Sequence, residues 1–229
     1  MDRPPPKRPR SEPRGFVKLF VSLVILYIAQ PFAAMLGSGA PYVLAVFYLT
    51  ALITAVLAFA QRAREKWVTT VAAAVTVVAT ASSFVATGFW IEVSIYASYC
   101  AFFSIVCWLV IRHVFQAGEV NADRLYAVCS VYLLAGIAWA FLYATIETVF
   151  PGSFNLGPLG PSGDPAPPLV YFSLVTITTL GYGEITPLSP VARTFASLEA
   201  AFGQIYLAVL VARLLGFQMT EGTQGAEEA

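Results

Sequence analysis

TITTLGYGE, residues 176–184, decides how the rest of this chain is read. Its core, Thr179-Leu180-Gly181-Tyr182-Gly183, sets two glycines at alternate positions. Glycine reaches backbone conformations closed to other residues, so successive carbonyl groups there can turn toward one axis and form a column of oxygens. At membrane depth such bare backbone survives only where it is buried in protein or lines a water-filled path. The composition around the run supplies that setting. Of 229 residues 58% are hydrophobic and 11% charged, with a mean hydropathy of +0.73, where soluble domains carry about a quarter charged residues. An integral membrane protein is expected.

Working outward, apolar runs extend from Phe16 to about Gly37, then over 41–60, 67–87, 90–112, 122–150 and 190–217. Each is near or above the roughly 20 residues needed to cross a bilayer. Between the fifth and sixth lies the Pro/Gly-rich loop PGSFNLGPLGPSGDPAPP, followed by Leu169 to Thr179, an apolar stretch too short to cross. The expected fold is an all-α membrane protein: six transmembrane helices, with a re-entrant helix and the Gly-Tyr-Gly run between helices five and six. The first fifteen residues, MDRPPPKRPRSEPRG, read as a basic Pro-rich tail that cannot form a regular helix. The apolar stretch after it is long enough for a retained anchor rather than a cleaved signal. No internal repeat of the kind that marks inverted-repeat transporters is evident.

Charge is balanced, 13 basic against 13 acidic residues, so no surface for nucleic acid is expected. Its placement is uneven. Arg3, Lys7, Arg8, Arg10 and Arg14 lie in the tail, Arg62, Arg64 and Lys66 in the second connection, and Arg112 and Arg124 around the fourth. The first and third connections have none, and the fifth has none before Arg193. The positive-inside rule then puts both termini in the cytoplasm of a multi-pass protein of the cell membrane, and the fifth connection outside. A bacterial inner membrane is the expected setting, with lipids as partners. Cys100, Cys107 and Cys129 lie in apolar runs and read as small hydrophobes, without disulfide or metal spacing. No nucleophile with a base, metal-ligand cluster or nucleotide loop is visible, so no enzyme, catalytic residue, cofactor or small-molecule substrate is expected.

A half-helix starting near Leu169 would point its C-terminal, partially negative end inward, where cations are favoured. The carbonyls of Thr179, Leu180, Gly181 and Tyr182, with the Thr179 hydroxyl, could then replace the hydration shell of a cation. In these residues the run resembles the selectivity filter of the tetrameric potassium channels. Residues 122–217, about two fifths of the chain, are similar to that family's pore module of outer helix, turret, pore helix, filter and inner helix. The resemblance implies a homotetramer that passes potassium ions as its permeant ligand. It also implies supporting roles for Thr178, Gly183 and Glu184, with Tyr171 and Phe172 as an aromatic cuff. Gly203, twenty residues after Gly183, takes the place of a gating hinge. The chain divides into the tail 1–15, a four-helix membrane domain 16–118, a pore domain 119–217 and a short tail 218–229.

There are departures from the family pattern. Leu180 replaces the commoner Val, at a position used through its carbonyl. Glu184 replaces the commoner Asp, with different reach for hydrogen bonding behind the filter. Val175 stands where some bacterial members carry a pore-helix Glu. A weakly selective cation channel is one alternative, although relatives that lose selectivity usually alter the filter Tyr. A transporter component or non-conducting accessory subunit is another, although related transporters carry four filter-like segments in one chain.

The front four spans resemble a voltage sensor without its ladder. Such a sensor needs Arg or Lys at every third position of the fourth span, whereas Trp90 to Ile111 offers only Glu92, with Arg112 and His113 beyond it. Little voltage dependence is expected, and His113 reads as an interfacial residue. Intramembrane acids are costly and call for partners. Glu147 is read as a partner of the pore loop. Glu199, sixteen residues after Gly183, is read as a filter support bonded to Ser173 or Thr176 rather than a cavity charge, so that Gln in its place should disturb filter stability more than conductance. Leu207, Val211 and Leu215 recur at helical spacing, as a vestibule stripe or as packing against the fifth span. Arg213 is expected to snorkel. No ligand-binding domain is expected in the polar residues after Phe217, so the stimulus is expected to act on the membrane region or through a separate partner.

Overall fold

The computed structural model describes residues 15–34, 40–59, 62–115, 122–157 and 164–227. Its helices are α1 (Gly15–Ala34), α2 (Ala40–Ala58), α3 (Ala63–Ser82), α4 (Phe89–Val114), α5 (Ala122–Val149), α6 (Ala166–Ile177) and α7 (Pro190–Glu227). The basic tail before Gly15 lies outside the described residues. Among the described residues four stretches are long and apolar enough to cross a membrane: Gly15–Phe32, Phe89–Val114, Asp123–Val149 and Pro190–Ala212. The chain is a mostly helical, multi-pass membrane protein. In α2 the apolar stretch Val43–Ala58 is shorter, and α3 interleaves its apolar positions with Thr69, Thr70, Thr76 and Thr80.

Local chemistry sets the helix ends. Ser189 caps α7, its hydroxyl accepting the Ala192 N–H at 3.1 Å, and Pro190 follows at the first helical position, where a missing N–H costs nothing. In α6, Pro167 and Pro168 sit in the first turn for the same reason, and Asp164 Oδ1 accepts the Ala166 N–H at 2.9 Å. With 12 residues, α6 is about 18 Å long, well short of a bilayer's hydrocarbon core.

Helix α5 is the hub, packing against α1, α4, α6 and α7. On α1, Phe16, Leu19, Leu23 and Leu26 form the buried stripe, while Val21, Ile25, Ile28 and Phe32 line the opposite, exposed face. A helix apolar on all sides suits hydrocarbon surroundings. Where α2, α4 and α5 meet, the Phe141 ring lies 4.7 Å from Tyr99, 5.3 Å from Tyr48 and 6.1 Å from Phe103. The all-α expectation needs one addition. Strands β1 (Phe154–Asn155) and β2 (Thr186–Pro187) pair antiparallel, Phe154 opposite Pro187 and Asn155 opposite Thr186. This two-residue ladder joins the loop after α5 to the segment following the Gly-Tyr-Gly run.

Candidate ion pathway

At the end of α6 the backbone turns around one carbonyl oxygen. Val175 O accepts the N–H of Leu180 at 2.9 Å and of Gly181 at 3.3 Å, while Thr176 O takes that of Thr179 at 2.9 Å. Beyond the turn, φ is +58° at Thr179, +59° at Gly181 and +91° at Gly183. Left-handed backbone at every second residue is the geometry alternate glycines permit. At Thr179 a β-branched residue adopts it, an arrangement that persists only where the surroundings hold it. Gln204 of α7 supplies part of that hold, its Nε2 donating to Thr179 Oγ1 at 3.3 Å. In the single chain the segment from Thr178 to Glu184 is exposed throughout, Leu180 at 54% and Tyr182 at 67%.

The segment after the turn is fastened by side chains. Tyr171 donates its phenol proton to Glu184. Phe172 is buried, edge-on to Tyr143 at 5.4 Å and Phe154 at 5.5 Å. The Glu147 carboxylate takes the N–H groups of Gly152 and Phe154 at 2.8 and 2.9 Å, shaping the loop that carries β1. Thr178 instead turns its hydroxyl back to Leu174 O in its own helix, at 2.7 Å.

Behind α6 lies Glu199, with no exposed surface. Its Oε2 accepts the Tyr143 phenol proton at 2.6 Å, and its Oε1 lies 2.5 Å from Ser173 Oγ. Ser173, not Thr176, faces the acid. Gly203 meets the end of α6 so closely that a Cβ there would overlap the Ile177 carbonyl oxygen, which also accepts the Tyr132 phenol proton at 2.7 Å. Helix α7 runs from Pro190 to Glu227 without a break at this glycine. Further along, Tyr206 bonds Val128 O at 2.7 Å, and Leu207 and Val211 are exposed in the single chain. The side chains of Arg213 and Leu215 lie outside the described residues.

Four contributors were missed by sequence reasoning: Tyr132, Gly136 and Tyr143 of α5, and Gln204 of α7. The α5 trio carried a signal, since intervals of four and seven residues place all three on one helix face. Gln204 carried none beyond its place beside Gly203.

Residues 166–219 match the ion channel family. A stretch of 102 residues, 43% of this chain, is 32% identical to the inward rectifier potassium channel Kirbac3.1 of Paramagnetospirillum magnetotacticum, over 30% of that protein. Another of 89 residues, 38% of the chain, is 32% identical to the two pore potassium channel c of Oryza sativa subsp. japonica, over 18% of it. The likeness thus spans less than a third of either relative, and all of it is to channels, none to enzymes. No solved structure gives a significant match.

Proposed function

We propose that this chain, similar over part of its length to two potassium channels, conducts potassium ions passively through a pore on the axis of four identical copies. The observation that carries this reading is the alternation of left-handed backbone at Thr179, Gly181 and Gly183 on a segment exposed in the single chain. Carbonyls of Thr179, Leu180, Gly181 and Tyr182, with the Thr179 hydroxyl, substitute for the ion's hydration shell. Exposed backbone of this kind has no stable place against lipid. A ring of copies encloses it, and the exposed apolar residues Leu198, Ile205 and Val209 of α7 give those copies a face to meet on.

In this arrangement α1 to α5 and α7 make six spans, α6 enters as a re-entrant helix, and 119–217 is the pore domain behind the four-helix domain 16–118. Both termini are cytoplasmic in a cell-membrane protein. The orientation is supported by His113, which sits 2.7 Å from Arg62 and stacks on Phe16, so the basic α2–α3 connection, the end of α4 and the start of α1 share one end of the bundle. Tyr171, Phe172, Thr178, Gly183, Glu184 and Glu199 support the filter, and Gly203, Leu207, Val211 and Leu215 form the gate region.

Ion flux from proteoliposomes under a potassium gradient, with sodium substitution and barium block, tests this. Equal sodium and potassium flux would overturn selectivity in favour of a weakly selective channel. In Gly181→Ala, which places a Cβ at φ +59°, potassium flux is expected to be lost; unchanged flux would remove the filter assignment.

A further inference from the structure

Three oxygen-to-oxygen contacts meet in the buried layer between α5, α6 and α7. Ser173 Oγ lies 2.5 Å from Glu199 Oε1 and 2.6 Å from the carbonyl oxygen of Gly136. Tyr143 Oη lies 2.6 Å from Glu199 Oε2. At such distances each contact needs a proton between its oxygens, since facing lone pairs without one repel. Those protons can be counted. Ser173 brings one, Tyr143 brings one, and a backbone carbonyl brings none. An ionised Glu199 brings none either, leaving three contacts with two protons. A protonated Glu199 supplies the third, and one arrangement then satisfies every oxygen: Oε1–H donates to Ser173, Ser173 donates to Gly136 O, and Tyr143 donates to Oε2.

The surroundings agree with that count. Glu199, Ser173 and Tyr143 all have 0% exposure, and among the described residues no cationic side chain is paired with the acid. A buried carboxylate without a cation carries a heavy desolvation cost. Nearby phenols are already engaged as donors, Tyr27 to Leu133 O at 3.1 Å and Tyr132 to Ile177 O.

We propose that Glu199 is held as a neutral carboxylic acid and positions the filter as a hydrogen-bond donor. Ser173 stands two residues before Val175, whose carbonyl carries the turn into the filter. Fixing Ser173 between α7 and the Gly136 carbonyl therefore fixes the height of that turn. Tyr27 extends the brace to α1, its phenol lying over Gly136 where a Cβ would come within 2.7 Å of it. The role as filter support rests on the channel reading; the protonation state rests on the contacts alone.

A neutral acid and a Gln amide offer the same pattern, one donor toward Ser173 and one acceptor toward Tyr143. The expectation drawn from the sequence for Glu199→Gln therefore reverses, and this variant should keep filter behaviour. The state is read by infrared difference spectroscopy of the full-length protein in lipid at neutral pH, wild type against Glu199→Gln. The expected result is a deuterium-sensitive C=O stretch of a protonated carboxylic acid, present in wild type and absent in the variant. Loss of a carboxylate band instead would overturn the proposal. If Glu199→Gln does not assemble, Tyr143→Phe removes the donor to Oε2 and should shift the same band; an unmoved band would overturn it equally. The role is read in proteoliposomes, where Glu199→Gln should keep the potassium-to-sodium flux ratio within about twofold while Glu199→Ala lowers it about tenfold. Equal losses in both variants would remove the donor role. A wild type that keeps the band yet passes no potassium would sink the channel reading and leave the proton in place.

Discussion

Thr179 and Gly203 show two ways in which a single residue constrains this molecule. Thr179 is the one non-glycine among the described residues at positive φ, and its conformation costs of order 1–3 kcal/mol. Gly203 is needed for closeness, because the oxygen a Cβ would strike belongs to the backbone of α6 and cannot rotate away. Gly203→Ala is therefore expected to destabilise the protein by about 1–3 kcal/mol, whereas Tyr132→Phe, which deletes one donor to the same carbonyl, costs about 1 kcal/mol. Thermal unfolding in detergent separates them, and equal stability of Gly203→Ala and wild type would refute the close approach. Gly181 and Gly183 were legible from the sequence because their spacing is itself the signal. The contact of Gly203 was not, since its partner lies 26 residues earlier, in a different helix. The same holds for Glu199: an acid in an apolar run announces a need for partners, but not which helices supply them.

Among the elements, α4 and α6 are tied together by side chains 68 residues apart in the sequence. Tyr96 of α4 donates to Asp164 Oδ1 at 2.8 Å, and the same oxygen holds the first N–H of α6. Tyr96→Phe should leave the fold intact, with about 1 kcal/mol lost, yet change barium block of the filter. Unchanged block would mean that α4 does not position α6. Phe141→Ala should be far more severe. The ring joins Tyr48, Tyr96, Tyr99 and Phe103, and truncation of such a side chain costs about 3–5 kcal/mol; a fall in unfolding temperature no larger than that of Tyr96→Phe would contradict this packing. Boundaries of the long helices were readable because apolar runs end at charges and glycines: α4 was expected over 90–112 and runs Phe89–Val114, and α5 over 122–150 and runs Ala122–Val149. Helix α6 begins at Ala166 rather than Leu169 because Pro167 and Pro168, which read as breakers, fit the first turn. The ladder of β1 and β2 is too short to show a strand period.

For the whole molecule, the long helix α4 of the front half has little charge to move. Helix α4 carries Glu92 in its first turn and Arg112 and His113 in its last, with no basic residue between. Moving one elementary charge across the membrane yields about 2.3 kcal/mol per 100 mV, so steep gating needs several charges within the field. Open probability in planar bilayers is expected to change only shallowly with voltage; a steep rise equivalent to several gating charges per channel would refute this. Chemical cross-linking in lipid should end at a tetramer, and a product that stops at the dimer would argue against a closed ring of filters. Membrane residence, the long apolar helices and the positive φ at Gly181 and Gly183 are written in composition and local spacing, since hydrophobic length and glycine's backbone freedom act within a few residues. Which oxygens share a proton with Glu199, which glycine yields space to α6 and which rings bind the front helices to α5 come from packing. Those contacts join groups tens of residues apart, and burial of a polar group is settled by the neighbours that packing brings to it.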